Sequence, residues 1–215
     1  MGTLYASETV IGMLPRTLIE WLKIDIEPVN TSKKNEEFKN LFPLEKSPAF
    51  LGSHGFELTE VMAILYYLVR LKDDAELEKT FYGVTLEERS QVIRILSFTN
   101  QEITSSTVAL VTATETNANQ EEYEDKLSKC LACFAFLKQL LAQHEFLVKD
   151  QATVADSYTA TICATLSGFA LGKDKFDSFT TLNKWLSVVL QHSVLKGNAD
   201  TAAFLEKTIP LPSAK

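Results

Sequence analysis

The stretch LFPLEKSPAFLGSHGFELTEVMAILYYLVRL, residues 41–71, decides the fold. Ser47-Pro48 leads into a short apolar run, Ala49-Phe50-Leu51. A turn cluster, Gly52-Ser53-His54-Gly55, follows, and a second run, Phe56-Glu57-Leu58, returns. Two short strands around a glycine-containing turn predict an antiparallel hairpin. Thr59 then stands at the position of a helix cap, ahead of Val61, Ile64, Leu65 and Leu68 at helical spacing. A proline at the mouth of a strand has no N–H, fixes its own φ and is the residue type that tolerates a cis peptide. Beside it, the N–H and C=O of Ser47 can serve an extended peptide ligand as if it were another strand. The helix start after Thr59 adds unpaired N–H groups, which favour a ligand carboxylate. The stretch therefore predicts a peptide-anion site.

Upstream, residues 3–6 read as a strand and residues 14–23 as a helix, with Leu18, Ile19 and Leu22 on one face and Pro15 in the first turn. A second strand fits residues 24–29, a polar tract covers 30–35, and a short helical piece lies near 36–40. The resulting order is βαβαββα. Residues 73–84 are mixed charged and aromatic and read as a linker, dividing the chain into 1–72 and an all-helical 85–208. In the second part Val92, Ile95, Leu96, Thr99 and Ile103 keep one face from about Leu86. Leu127, Cys130, Leu131, Phe134, Leu137 and Leu141 keep another, with a loop expected over 112–119. Thr153-Val154-Ala155-Asp156 opens a helix whose inner side is Ile162, Cys163, Leu166, Phe169 and Ala170, and Thr153 with Asp156 reads as a structural capping box. A final helix fits 181–190, and IPLPSAK at 209–215 reads as the start of a linker.

A chain of 215 residues with 46% hydrophobic content suffices for a buried core. The net charge of −7, with Lys and Arg spread among the acids, argues against a direct nucleic-acid partner. No apolar run reaches the length of a membrane span, and no basic region precedes a hydrophobic core at the N-terminus, so a cytoplasmic address without a membrane partner is expected. Three cysteines cannot all pair within one chain, which fits a reducing compartment. Cys130 and Cys133 form a C-x-x-C, but it falls inside an apolar helical stripe with no second pair and reads as core. His54, His144 and His192 are scattered, so no metal site is expected. There is no glycine-rich phosphate-binding motif, and the acidic run at 121–125 reads as a solvated helix start.

SPAF followed by a hairpin and LTEVMAILYYL resembles the thioredoxin-like N-terminal half of glutathione transferases, with its cis-proline. The Thr153/Asp156 box resembles the folding signature of their C-terminal helical half. GTLY near the start, Pro15-Arg16, FPLEKSPAFLG and LTEVMAI look most like the N-terminal domain of the fungal gamma subunit of translation elongation factor one. The resemblance implies a glutathione transferase fold, an α/β thioredoxin-like domain followed by an all-α domain. The family's R-W-x-S-L-A-N run reads here as Arg94-Ile95-Leu96-Ser97-Phe98-Thr99-Asn100, with the frame kept and the tryptophan lost.

Site residues are implied as well. A hydroxyl near the end of the first strand stabilises the glutathione thiolate, and the candidates are Tyr5, Ser7 and Thr9, with Ser7 the catalytic choice. Each also reads as a chance hydroxyl at a strand end. Ser47 and Pro48 would carry the ligand backbone. Glu60 would meet its amino group or serve only the helix dipole, and Arg16 would add charge near the first helix or lie solvated. Where the transferases place a serine on the γ-glutamyl carboxylate, this chain has Val61. The N–H survives there but a charge-assisted hydrogen bond does not, a loss of about 1.5 to 3 kcal/mol.

Three functions follow from the resemblance. The first is a protein-interaction module that docks the nucleotide-exchange subunit of the elongation-factor complex, with weak or no glutathione chemistry and no required cofactor. The second is an active glutathione transferase that conjugates glutathione to small electrophiles. The third is a docking module of an aminoacyl-tRNA synthetase assembly. A homodimer is implied as well.

Overall fold

The computed structural model describes residues 2–7, 10–31, 36–116, 118–192, 194–196 and 205–211. The chain divides into two compact units, Met1–Gly83 and Val84–Lys215. In the first, β1 (Thr3–Tyr5), β2 (Glu27–Val29), β3 (Ala49–Leu51) and β4 (Glu57–Thr59) form one sheet in the order β2-β1-β3-β4. β1 runs parallel to β2, and the other two pairs are antiparallel. With α1 (Val10–Leu22), α2 (Glu36–Leu41) and α3 (Val61–Leu71), the chain follows the βαβαββα order of a thioredoxin-like domain. Pro28 sits in the edge strand β2, where a missing N–H is tolerated.

Successive strand residues face opposite sides of a sheet, and both sides are used here. On one, Tyr5 and Ala49 pack with Phe38 and Phe42, and the rings of Tyr5 and Phe38 lie 5.4 Å apart. On the other, Phe50 meets Tyr67 of α3 at 5.1 Å. α1 packs along α3. Lys72 Nζ donates to the carbonyl of Leu22 at 3.0 Å, which sets a cation at the end of α1, where the helix dipole favours it.

The hairpin forms, but its second strand is displaced by one residue. β4 extends through Thr59, which pairs with Ala49, so Thr59 is a strand residue and not the helix cap. Glu60 takes the N-cap position of α3 without a side-chain cap bond. The reason lies in the ladder to β3, which occupies the Thr59 backbone, and a β-branched residue suits a strand.

Residues 73–84, expected as a linker, instead carry α4 (Ala75–Tyr82), which falls within the first unit. Asp74 caps it, accepting from the N–H groups of Glu76 and Leu77 at 3.1 and 3.0 Å. Its buried face comes from Glu78, paired with Arg70 of α3, and from Phe81 and Tyr82, set against the rings of Trp21 and Tyr66. An ion pair in place of an apolar repeat hides this helix from periodicity.

In the second unit, α5 (Leu86–Phe98), a π-helical turn Thr99–Ile103 and α6 (Thr104–Glu115) run on without a break. α7 (Gln120–Leu140), α8 (Val154–Ser167), α9 (Lys173–Phe176) and α10 (Thr180–Leu190) follow. The loop expected over 112–119 is therefore shorter, because α6 continues to Glu115. The hydroxyls of Thr107, Thr114 and Thr116 donate to the carbonyls of Ile103, Val111 and Thr112, which satisfies these polar groups, while Thr107, Leu110 and Ala113 supply the buried side of the helix. Cys130 and Cys133 are buried in α7, and burial raises the Cys133 thiol.

Asp156, in the first turn of α8, is fully buried and accepts four hydrogen bonds. The N–H and hydroxyl of Thr153 reach Oδ2 at 2.9 and 2.8 Å, while the Leu147 N–H and Trp185 Nε1 reach Oδ1 at 2.9 and 3.0 Å. Burial pushes the carboxyl up, against the pull of these donors. One side chain thus joins the start of α8, the segment before it and α10.

Residues 205–211 lie across the connection from α8 to α9. The Leu205 N–H donates to Ser167 at 3.0 Å and the Ile209 N–H to Ala170 at 3.1 Å. The Tyr123 hydroxyl donates to the Ile209 carbonyl at 2.6 Å, and Ile209 and Leu211 pack on Leu110, Tyr123 and Cys130. Residues 209–211, expected to begin a linker, are thus part of the packed unit, while 212–215 lie outside the described residues. A Cβ on Gly172 would come within 2.2 Å of the Lys207 carbonyl carbon, so the segment needs glycine beneath it.

Replacing Asp156 by Ala strands its buried donors and is expected to cost at least about 3 kcal/mol, with Asp156→Asn intermediate because one acceptor oxygen remains. Urea unfolding measures this as a lower midpoint at unchanged slope. An unchanged midpoint for Asp156→Ala would show that the carboxylate does not hold these segments together.

Candidate functional site

Sheet register assembles the site. Tyr5 pairs with Ala49 and Ala49 with Thr59, so the ends of β1 and β4 flank the start of β3, which follows directly on Ser47-Pro48. The Ser47-Pro48 peptide is cis. The Ser7 N–H donates to Ser47 Oγ at 2.8 Å, and the Ser47 hydroxyl lies 3.5 Å from the Tyr5 carbonyl oxygen. α1 presses on the same turn at Gly12, where a Cβ would meet the Ser7 carbonyl oxygen at 2.4 Å. The structure thus brings Ser7, Ser47 and Pro48 together.

Glu60 has φ +69° and ψ 119°, a conformation that costs a non-glycine residue about 1 to 3 kcal/mol and that gathers at functional sites. Its side chain is exposed, and its carbonyl accepts the Ile64 N–H at 3.0 Å, closing the first turn of α3. The first N–H groups of a helix have no acceptor within it, which suits this turn to an anion. Val61 is only 3% exposed, so the first residue of α3 turns an apolar side chain inward.

Arg16 stands one turn beyond Gly12 in α1 and is half-buried, which corrects the solvated reading. Its Nη1 is buried and has no hydrogen-bond partner among the described residues. Helical side chains lean towards the preceding turn, which for Arg16 is the turn of Gly12 that abuts Ser7. Tyr5 belongs elsewhere: its ring packs on Phe38 and Phe42, and burial, with Glu37 and Glu27, raises the phenol. Thr9 lies outside the described residues. His54 is exposed in the hairpin turn, and among the described residues no group of three or more His, Cys, Asp or Glu could hold a metal ion. No helix among them is long and apolar enough to cross a membrane. Reading the sequence missed Gly12 and the hydroxyl of Ser47. The available signal for the latter was a polar residue directly before the proline.

The family Glutathione S-transferase, N-terminal domain, matches residues 2–70, and Glutathione S-transferase, C-terminal domain, matches residues 90–192. Elongation factor 1-gamma 1 of Saccharomyces cerevisiae is 27% identical over 98% of this chain and 52% of its own length. The chain spans about half the length of Elongation factor 1-gamma 1 and Elongation factor 1-gamma 2 of Saccharomyces cerevisiae and of Elongation factor 1-gamma of Schizosaccharomyces pombe. Glutathione S-transferase Y-2 of Pichia kudriavzevii is 26% identical over 84% of this chain and 89% of its own. Among solved structures, the GST-like domain of elongation factor 1-gamma from Saccharomyces cerevisiae has a TM-score of 0.88 at 26% identity, covering 98% of both chains. With both halves matched in order and the fold shared along the chain, this protein belongs to the glutathione S-transferase family.

Proposed function

We propose that the chain is a protein-docking module of the elongation factor 1-gamma kind, acting in the cytosol, in which glutathione binding is reduced to a remnant. Val61 carries this reading. The frame of the ligand site is retained in the cis Ser47-Pro48 peptide and the left-handed Glu60, while the residue that opens α3 offers no hydroxyl and is buried. The similarity to elongation factor 1-gamma along 98% of the chain supports the same reading. The partner is a nucleotide-exchange subunit of the elongation-factor complex, and pairing with a second copy belongs to the proposal.

Affinity purification from an extract of the protein's own cells is expected to recover the exchange subunit in stoichiometric amount. Recovery of neither this subunit nor any other translation component would count against docking, and recovery of a synthetase would redirect it. In calorimetric titration with glutathione, Val61→Ser is expected to bind roughly ten- to hundredfold more tightly than the native chain. Micromolar binding by the native chain would sink the remnant-site reading.

The similarity to Glutathione S-transferase Y-2 over 84% of the chain, together with the retained Ser47-Pro48 backbone, favours a second reading, a working transferase that adds the glutathione thiolate to a small electrophile. Ser7 would then stabilise the thiolate. Loss of its hydroxyl in Ser7→Ala is expected to slow conjugation roughly ten- to hundredfold, and an unchanged rate would remove Ser7 from the chemistry.

A further inference from the structure

Within the second unit, α9 and α10 line a cavity of about 350 Å³, a size found among small-molecule sites. Its wall on α10 carries Asn183, Leu186, Ser187 and Leu190, which recur at steps of three and four residues and so share one helical face. α9 and its C-cap add Phe176 and Asp177. Leu186, Leu190 and Phe176 are buried side chains that offer apolar surface, while Asp177 and Ser187 are exposed.

The polar groups of this wall are unevenly satisfied. Its donors already have acceptors in the chain: Asn183 Nδ2 donates to the Phe176 carbonyl at 3.2 Å and the Ser187 hydroxyl to the Asn183 carbonyl at 2.9 Å. Lys173, also in the lining, meets Glu206 at 2.6 Å. The packed segment 205–211 holds that pair, since the Lys173 N–H donates to the Leu205 carbonyl at 2.8 Å. Acceptors are left over. Asn183 Oδ1 is buried with no hydrogen-bond partner, and Asp177 has no ion-pair partner among the described residues. With Lys173 and Glu206 cancelling, the remaining formal charge of the lining is the Asp177 carboxylate. The Asn183 oxygen is too buried to touch a ligand, so it acts through its field, which a low-dielectric surrounding strengthens. The lining also reaches Gln191, the C-cap of α10, where the helix dipole favours positive charge.

We propose that this cavity binds a small organic cation, a primary amine on an aliphatic chain, with the ammonium drawn to Asp177 and the chain against Phe176, Leu186 and Leu190. An anion meets the same field as repulsion, and a neutral ligand gains only the apolar contact. The residues involved all belong to the second unit, whereas Ser7, Ser47, Glu60 and Val61 belong to the first. The inference therefore stands or falls independently of the proposed function.

The test titrates the native chain at neutral pH with hexylamine, hexanol and hexanoate, which share one apolar chain and differ in charge. Nuclear magnetic resonance follows the Asn183 side-chain amide and the Leu186 and Leu190 methyl groups. Hexylamine is expected to shift these resonances and to bind roughly two- to fivefold more tightly than hexanol, with hexanoate the weakest. Asp177→Asn, at an exposed position where an unchanged melting temperature establishes folding, is expected to bring hexylamine down to the affinity of hexanol. Hexanol or hexanoate binding as tightly as hexylamine, a preference for the amine that survives in Asp177→Asn, or resonances that none of the three ligands moves would each overturn the proposal.

Discussion

One backbone donor, the N–H of Ser7, closes onto the Ser47 hydroxyl at 2.8 Å, and the geometry of the candidate site depends on it. A buried or half-buried N–H must find a partner, and here it finds one forty residues along the chain. The bond ties the end of the central strand β1 to the loop that carries the cis-proline. Gly12 then lets α1 approach the same turn, and β4, paired with β3 as far as Thr59 and Ala49, leads directly into the strained Glu60 and the start of α3. Ser7, Ser47 and Glu60 are positioned by the sheet strands that lead into or out of their turns.

The second unit uses a carboxylate in the same way. Asp156 is buried, pairs with no cation among the described residues and is supported by four donors from three places in the sequence. A buried acceptor of this kind is stable only when its donors are all in place, so it couples the segments that supply them. The packed segment 205–211 extends that logic to the chain beyond α10, where a glycine at 172 admits the backbone of Lys207.

The candidate site separates backbone from side chain. Its backbone features are a cis peptide, a positive φ and an open helix start. Side chains sit on that frame: Val61 is buried and Ser47 Oγ accepts the Ser7 N–H. Docking to a protein needs the surface of that scaffold but not a reactive thiolate, which is why the proposed function is compatible with a buried valine at 61.

The hairpin, α3 and the capping box of α8 were legible in the sequence because each is built from neighbours: a turn cluster, apolar residues at helical spacing, and a threonine three residues before an aspartate. Among the site residues, Ser47, Pro48, Glu60 and Val61 could be named for the same local reasons and through their resemblance to a family motif. What lay beyond reach depended on partners distant in the chain. α4 is buried through Arg70, Trp21 and Tyr66, with a glutamate in place of an apolar residue on its inner face. Thr59 became strand through Ala49, α6 continued by packing Leu110 with Tyr123 and Cys130, and residues 209–211 packed through Tyr123. Sequence alone determined the βαβαββα order of residues 1–72 and the family motif, since periodicity and turn chemistry act within a few residues. Tertiary structure alone decided that the Ser7 N–H would be spent on Ser47 and that Asp156 would bond Trp185, because only folding brings residues so far apart in the chain within hydrogen-bond distance.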